Sequence, residues 1–128
     1  MKFLLDTHFV IWIPAESRRI SLAARKILND PANEFAFSAA SLMEIQLKRE
    51  RNKPDFEYDS RLLRKSMLAN GYEELPITGE HALELDSLPP IHKDPFDRLL
   101  IAQAVVEGIV LLTADKAIAR YPGPIKKV

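Results

Sequence analysis

The sequence predicts an α/β protein in which a short, mainly parallel central sheet is covered by helices on both faces. Short apolar runs alternate with segments of helical periodicity along the chain. Successive runs are separated by roughly 25–35 residues, which suits the crossover connections of parallel strands rather than hairpins. The 128 residues are enough for one core and leave little room for a second, so one domain over residues 1–128 is expected.

Five short runs are predicted as strands: KFLL at 2–5, EFAF at 34–37, EELPIT at 73–78, IVLLT at 109–113 and part of PGPIKKV at 122–128. The first and fourth runs are continuously apolar, which is typical of strands buried between two helical layers. Pro76 cannot donate a ladder hydrogen bond, so it predicts an edge position or an early end for the third run. The last run is predicted to be an edge strand.

The segments between these runs carry helix signals. Residues 7–13 are too apolar for an exposed helix, and Pro14 ends them. Ser38 is a predicted N-cap for the helix that follows the second strand. Gly108 is a predicted stop for the helix that precedes the fourth strand. Helices are also predicted at 21–30, 59–71, 79–88 and 115–121, and a polar loop at 52–57.

Composition excludes several function classes. Apolar residues make up 47% of the chain, and 18 basic residues balance 18 acidic ones, so binding to a nucleic acid needs a local basic patch or a metal ion. The absence of cysteine excludes disulfides and thiol chemistry. Asp6 and His8 interrupt the short apolar N-terminal run, which is too short to span a bilayer and lacks a signal-peptide cleavage pattern. A cytosolic protein without membrane contact is therefore expected.

Four acids from separate segments are predicted to meet at one end of the sheet. Asp6 directly follows the first strand, and Asp115 comes just after the fourth. If those strands are neighbours, the two carboxylates stand side by side, because ligands of open parallel sheets lie beyond the carboxyl ends of the strands. Glu44 lies in the helix after the second strand, and Asp97 lies at the start of the helix that leads into the fourth.

Local helix chemistry offers another explanation for most of these acids. Asp94, which precedes Pro95, is a strong N-cap signal, because proline suits the first helical position. Asp97 is then the third helical residue, where an acid can close a capping box. Asp6 and Asp115 each precede a short helix that they could cap. On local grounds, capping and chemistry both stay open for these residues.

Glu44 and the acids as a set favour a cation. Glu44 lies between Met43 and Ile45 in an apolar stretch, and a buried carboxylate is costly unless a cation compensates it, although a lone helical Glu is usually solvated. A cluster of carboxylates repels itself, which predicts a raised pKa in one or more of them. Oxygen ligands without cysteine or a histidine cluster favour Mg²⁺ or Mn²⁺ over Zn²⁺, as in metal-dependent nucleases.

Four motifs resemble those of the PIN-domain nucleases and, more closely, the VapC-like toxins of bacterial type II toxin–antitoxin pairs. They are FLLDTH at 3–8, SAASLMEI at 38–45, HKDPFDRLLIAQA at 92–104 and LLTADKAIARYPG at 111–123. The resemblance implies a Rossmann-like three-layer α/β/α PIN domain that acts as an endoribonuclease on RNA with one or two Mg²⁺ or Mn²⁺ ions. It further implies a cognate antitoxin that blocks the site, a homodimer and toxin–antitoxin hetero-oligomers.

The resemblance also divides the site residues by role. It implies that the metal-binding and catalytic acids are Asp6, Glu44, Asp97 and Asp115. Asp94 is then the helix cap that can assist Asp97, since positions i and i+3 of a helix are close. Supporting roles are expected for Thr7 and Thr113, which could also be helix caps. Arg98 could contact phosphate, although its simplest interpretation is an ion pair with an acid. His8 and His92 are interpreted as structural or peripheral, because no spacing supports a metal-binding histidine pair.

Three other functions compete with the nuclease. Aspartyl-phosphate phosphatases also begin with a strand that ends in Asp, but they require a second Asp where this chain has His8. A receiver-like phosphorylation switch needs an Asp at the end of the third strand, where the chain offers Thr78. A PIN-fold protein that binds metal or RNA with a weak or degenerate catalytic site is the remaining alternative, and metal-dependent RNA cleavage distinguishes it from an enzyme.

Overall fold

The computed structural model describes residues 1–51 and 58–128, and the loop predicted at 52–57 lies outside them. A five-stranded sheet in the order β3-β2-β1-β4-β5 forms the centre, and all its pairings are parallel, as predicted. The strands are β1 Lys2–Leu5, β2 Glu34–Ser38, β3 Glu73–Leu75, β4 Val110–Thr113 and β5 Ile125–Lys127. The helices are α1 Thr7–Trp12, α2 Leu22–Leu28, α3 Ala39–Glu50, α4 Ser60–Ala69, α5 Gly79–Glu84, α6 Pro95–Glu107 and α7 Lys116–Ala119, and a 3₁₀ turn spans Leu85–Ser87.

Strand β1 lies at the centre of the sheet because its residues are apolar on both faces. Phe3 and Leu5 are buried in one core cluster and Leu4 in another, since successive side chains of a strand point to opposite faces. Phe9 of α1 and Met67 of α4 pack in the first cluster. Helix α6 supplies much of the second, which contains Leu100, Ile101, Ala104 and Leu111. The result is the predicted three-layer arrangement.

The order of the strands reverses between β1 and β4. From β1 the chain adds β2 and β3 on one side of the sheet, then crosses to add β4 and β5 on the other. Leu5 of β1 is paired in register with Leu112 of β4, so the carboxyl ends of these two strands are adjacent. Such a reversal is where open α/β sheets bind their ligands.

The edges of the sheet are short. Strand β3 ends at Leu75, directly before Pro76, which confirms the early end predicted from that proline. Strand β5 forms the opposite edge, as predicted. Within residues 1–51 and 58–128, no helix combines the length and apolar character that a membrane span requires.

Helix α6 begins and ends at the predicted signals. Asp94 caps its first turn, with Pro95 at the first helical position. Gly108 ends it with a φ of 68°, a left-handed conformation that glycine adopts without a steric penalty. This boundary fixes where Asp97 lies, because it places that residue in the first turn of the helix.

Candidate active site

Asp6 and Asp115 lie at the ends of the neighbouring strands β1 and β4 and are linked by Thr113. Asp6 is buried, and its Oδ1 accepts a hydrogen bond from the backbone N–H of Phe9 at 3.3 Å. The Thr113 hydroxyl donates to Asp6 Oδ2 and accepts the backbone N–H of Asp115 at 3.0 Å. Asp115 also caps α7, since its Oδ1 accepts the N–H of Ala117 at 2.8 Å. Both acids therefore act as helix caps, and the Thr113 hydroxyl connects the Asp6 carboxylate to the backbone of Asp115.

Glu44 is buried in α3 and has a cation of this chain beside it. Its side chain is 6% exposed, and Oε2 lies 2.6 Å from Nζ of Lys48. The Thr7 hydroxyl donates to Glu44 Oε1 at 2.8 Å and lies 2.9 Å from the hydroxyl of Ser41. Lys48 thus supplies positive charge that a buried carboxylate requires, and Thr7 connects α3 to the end of β1.

Asp94 and Asp97 have the separate roles that the helix start predicts. Oδ1 of Asp94 accepts the backbone N–H groups of Phe96 at 2.9 Å and Asp97 at 3.2 Å, so Asp94 is the N-cap. The Asp97 side chain takes no part in the cap, and its Oδ2 lies 2.8 Å from Nε2 of His92. The cap assignment of Asp94 is confirmed, whereas contact between Asp97 and a metal stays a prediction.

The pKa values of two acids are raised, as predicted, but the main cause is different. Burial raises the pKa of Asp97 from the usual 3.8 to about 6, with smaller contributions from the charges of Asp94 and Glu44 and an opposing one from His92. Burial also raises the pKa of Asp6, against the hydrogen bond from Thr113. The sequence-based argument from mutual repulsion is therefore wrong as the main cause, because desolvation exceeds repulsion at both residues.

A family model for the PIN domain matches residues 3–124. The chain belongs to the PIN-domain family. Ribonuclease VapC22 of Mycobacterium tuberculosis (strain ATCC 25618 / H37Rv) is 32% identical to this PIN domain in an alignment over 125 residues that covers 95% of each chain. The resemblance to VapC-like proteins that the four motifs carry is thereby confirmed.

Solved VapBC structures share the fold of this PIN domain. VapBC2 from Rickettsia felis, solved with a DNA fragment from its promoter, superposes with a TM-score of 0.71 at 15% identity and covers 99% of this chain and 98% of that one. DNA-bound VapBC from Salmonella typhimurium gives a TM-score of 0.66 at 18% identity over 99% and 98% of the two chains. At these identities the likeness concerns the fold alone, and it confirms the Rossmann-like PIN architecture.

The side chains of this PIN domain fit a hard divalent cation by their chemistry. The four predicted acids supply carboxylate oxygens, which Mg²⁺ and Mn²⁺ prefer, and the raised pKa values of Asp6 and Asp97 are those of carboxylates short of compensating charge. Among the described residues, the three groups whose ligand atoms all lie within 4.8 Å of one another are those of His92, Asp94 and Asp97. Asp97 is thus the only one of the four predicted acids that belongs to this group of described residues, together with His92 and Asp94.

Two partners of the acids were missed by sequence reasoning. Lys48 follows Glu44 by four residues on a helix, and this spacing is itself the signal of an ion pair. His92 is predicted to be structural or peripheral because no spacing supports a metal-binding histidine pair, and that argument does not address a contact with a single acid. The helix begins only at Pro95, so no helical spacing relates His92, in the preceding loop, to Asp97.

Arg98 has a different role from the predicted one. Its guanidinium donates to the backbone carbonyls of Pro89 and Leu85, each at 3.0 Å, and to the hydroxyl of Tyr121 at 3.1 Å. The expectation of an ion pair with an acid is therefore wrong within the described part of the chain. Arg98 fastens the segment before α6, because the carbonyls of Leu85 and Pro89, which also accept backbone N–H groups, have a second lone pair for its guanidinium.

Proposed function

We propose that this PIN domain is a metal-dependent endoribonuclease that hydrolyses RNA phosphodiester bonds with one or two Mg²⁺ or Mn²⁺ ions. The observation that carries the proposal is that the strand order reverses between β1 and β4, where Thr113 hydrogen-bonds both the Asp6 carboxylate and the backbone of Asp115. The proposed site also takes one acid from α3 and one from α6, and the charge of the first contributes to the raised pKa of the second. Membership of the PIN-domain family and the ribonuclease name of the M. tuberculosis relative support it. The acids are Asp6, Glu44, Asp97 and Asp115.

The proposed division of labour follows from the contacts of each acid. When bound, a divalent cation neutralises charge on the scissile phosphate and lowers the pKa of a water molecule. Asp6 and Asp115 would hold it from the strand ends, where the Thr113 hydrogen bonds fix their positions. Glu44 and Asp97 would complete the site from the helices. Their carboxylates are already desolvated, which strengthens their attraction to a cation.

The proposed reaction predicts the chemical ends of the RNA products and the loss of cleavage when the metal is removed. Hydrolysis by water at phosphorus leaves 5′-phosphate and 3′-hydroxyl ends, whereas attack by the ribose 2′-hydroxyl leaves 2′,3′-cyclic phosphates. The test incubates the purified chain with single-stranded and hairpin RNAs in Mg²⁺, in Mn²⁺ and in EDTA, with Asp97→Asn as the matched control. Cleavage that persists in EDTA, or cyclic phosphate products, would overturn the mechanism.

The alternative function is a PIN-fold protein that binds metal or RNA without turnover. The specific observation in its favour is the Lys48–Glu44 pair, because an ammonium group at 2.6 Å competes with a cation for Glu44. The same experiment separates the two functions. Saturable Mn²⁺ binding without RNA cleavage across the RNA panel would favour the degenerate site, and multiple-turnover cleavage would exclude it.

We further propose that the nuclease acts as the toxin of a toxin–antitoxin pair, with a cognate antitoxin and a homodimeric assembly. The solved structures of similar fold are VapBC toxin–antitoxin complexes, which supports a protein partner for this chain. Induction in cells should halt growth, and co-expression of the protein encoded beside this chain should restore it. Light scattering of the purified chain, alone and in that complex, measures the oligomeric state. Unimpaired growth despite active RNA cleavage would contradict the toxin role.

A further inference from the structure

We propose that His92 is a positioning residue that holds the Asp97 carboxylate in the orientation needed to receive the cation. This role rests on the proposed metal site, and it is separate from RNA cleavage as such. The contact joins His92 Nε2 and Asp97 Oδ2 at 2.8 Å, with the two side chains 29% and 15% exposed. His92 lies in the loop before α6, and Asp97 lies in the first turn of that helix.

The geometry gives the two oxygens of Asp97 different tasks. An ionised carboxylate only accepts hydrogen bonds, so the Nε2 of His92 carries the hydrogen and donates it to Oδ2. Oδ1 has no hydrogen-bond donor within residues 1–51 and 58–128. Oδ2 is thus fixed by the hydrogen bond from His92, and Oδ1 is available to a ligand. The rotation of the carboxylate about its χ2 angle is then set by the imidazole.

The loop that carries His92 is itself held by a saturated hydrogen-bond network. The hydroxyl of Tyr121 accepts the backbone N–H of His92 at 2.8 Å and an N–H of Arg98 at 3.1 Å, and it lies 3.1 Å from the His92 carbonyl, to which it donates. One donor and two acceptor positions are all that a tyrosine hydroxyl has. We call these contacts of Tyr121 with Arg98 and the His92 backbone the clamp. Tyr121 is buried, so water does not compete freely for the hydrogen bonds of the clamp.

The clamp joins three segments of the chain around one side chain. Arg98 connects α6 to the carbonyls of Leu85 and Pro89, and Tyr121 connects the end of α7 to His92. Because the irregular loop before α6 is fastened at these points, the His92 imidazole that it carries is held in a fixed position. A fixed imidazole of this kind is suited to orient the neighbouring Asp97 carboxylate as a metal ligand. Removing such an outer hydrogen bond typically changes metal affinity about 10–100-fold.

The other histidine near an acid is placed differently. His8 lies 3.9 Å from Asp6 Oδ1 with a side chain that is 54% exposed, beyond hydrogen-bond distance. Asp6 already receives Phe9 N–H and the Thr113 hydroxyl, so it does not depend on His8 for orientation. Within the described residues, a positioning imidazole therefore belongs to Asp97 and not to Asp6.

The test measures equilibrium binding of Mn²⁺ to the full chain by electron paramagnetic resonance of the free ion, without RNA. His92→Ala should raise the Kd for Mn²⁺ by about 10–100-fold, because the carboxylate loses its orientation. His92→Gln retains an N–H donor and should recover most of the loss. Lys93→Gln, an exposed neighbour in the same loop, is the control and should change the Kd by less than about twofold. Thermal melts verify that each variant is folded.

A double-mutant cycle tests the clamp. Tyr121→Phe removes the hydroxyl that holds the His92 backbone and should weaken Mn²⁺ binding by about 3–10-fold, less than His92→Ala. In the His92→Ala background the same change should have little further effect, because the two act through one carboxylate. If the losses of Mn²⁺ binding free energy from the two substitutions were fully additive, the clamp would act on the site by another route. That result would contradict the role of the clamp in holding His92.

Two outcomes would overturn the positioning role of His92. One is a His92→Ala variant that binds Mn²⁺ as tightly as the wild-type chain. The other is a nitrogen coupling in the spectrum of bound Mn²⁺ that disappears in His92→Ala, since this would make His92 a direct ligand. Failure of the proposed nuclease looks different. A wild-type chain with His92-dependent Mn²⁺ binding and no RNA cleavage would reject the nuclease alone, and a chain that binds no Mn²⁺ would reject both.

Discussion

The two halves of the candidate site are held together in different ways. The strand-end pair, Asp6 and Asp115, is fixed by neutral donors: backbone N–H groups of α1 and α7 and the Thr113 hydroxyl. The helix pair, Glu44 and Asp97, contacts ionisable side chains, Lys48 for Glu44 and His92 for Asp97, and Glu44 also accepts a hydrogen bond from the Thr7 hydroxyl. The strand-end contacts belong to the fold itself, whereas the helix-pair contacts can be removed with the backbone intact.

This difference predicts that changes at the strand-end pair affect folding stability, whereas changes at the helix pair affect mainly the charge and orientation of the acids. Replacing either strand-end acid disturbs a helix cap, and replacing Asp6 also disturbs its hydrogen bond with the buried Thr113 hydroxyl, so such changes affect folding as well as any ligand. Replacing a partner of the helix pair changes the charge and orientation of an acid that the backbone does not hold. In the proposed metal site, the helix pair is therefore where we expect metal affinity to be adjusted independently of the fold.

The largest expected effect comes from Asp97, on the helix side. Asp97→Asn removes a charged oxygen ligand and should reduce RNA cleavage by more than the roughly 10–100-fold typical of losing an outer hydrogen-bond partner. Asp94→Asn should retain most of the activity, because asparagine is as good an N-cap as aspartate. Rates of both variants on one RNA under single-turnover conditions measure the difference. Equal losses would show that the cap and the ligand are not separate roles.

Stability without divalent cations should depend on pH through Asp97. The raised pKa means that the folded chain keeps a proton that the unfolded chain releases, so the free energy of unfolding falls as pH rises from 3.8 to about 6. At 1.36 kcal/mol per pKa unit the fall is at most about 3 kcal/mol. Urea unfolding in EDTA at pH 4 and pH 7 measures it. In Asp97→Asn the fall should shrink, and an identical pH dependence in both chains would exclude Asp97 as its source.

A cation should stabilise the wild-type chain through the strand-end pair. A ligand at 100-fold excess over its Kd adds about 2.7 kcal/mol by mass action, which raises the Tm of a domain of this size by about 10 °C. Asp6→Asn should lose nearly all of that response to Mg²⁺ or Mn²⁺. Asp30→Asn is the matched control, since Asp30 is an exposed aspartate before β2 and should leave the response intact. Equal responses in wild type and Asp6→Asn would remove Asp6 from the metal site.

The smallest expected effect is that of Lys48→Gln. A partly exposed ion pair contributes less than about 1 kcal/mol, so the Tm should change little. Mn²⁺ affinity should nevertheless rise several-fold, because Glu44 no longer shares its charge with an ammonium group. Lys2→Gln is the matched control, since Lys2 pairs with Glu73 at the same 2.6 Å on an exposed surface. Weaker Mn²⁺ binding in Lys48→Gln would contradict competition between Lys48 and the cation.

The strands and their ends could be predicted because they depend on local rules. An apolar run that ends in Asp6, the proline at position 76 and the glycine at position 108 each act within a few residues. The adjacency of β1 and β4 was predicted only as a condition, and the register of Leu5 with Leu112 confirms it. The placement of Asp6 and Asp115 at the same edge of the sheet follows from that adjacency, since parallel strands end on the same side.

The partners of the acids could be predicted only where they share an element. Lys48 and Glu44 lie one helical turn apart, so their pairing was available from spacing. Asp97 and His92 lie on either side of a helix boundary, and Arg98 reaches carbonyls of a loop whose path no periodicity specifies. Desolvation was likewise underestimated, because burial of Asp6 depends on three layers packing together rather than on its neighbours in sequence.

The short edge strands have a consequence for how copies of this chain can meet. An exposed strand edge offers unpaired backbone groups on which another chain can extend the sheet, and proteins resist this with short strands, charge and proline. Here β3 has three residues and stops before Pro76, and β5 has three residues that include Lys126 and Lys127. The two glutamates of β3 are neutralised within the chain by Lys2 and Arg64, which leaves them no surplus charge for an incoming lysine edge. Fibre-like growth by strand addition is thus disfavoured at both edges of the sheet, and contacts between copies of the chain are expected to use other surfaces.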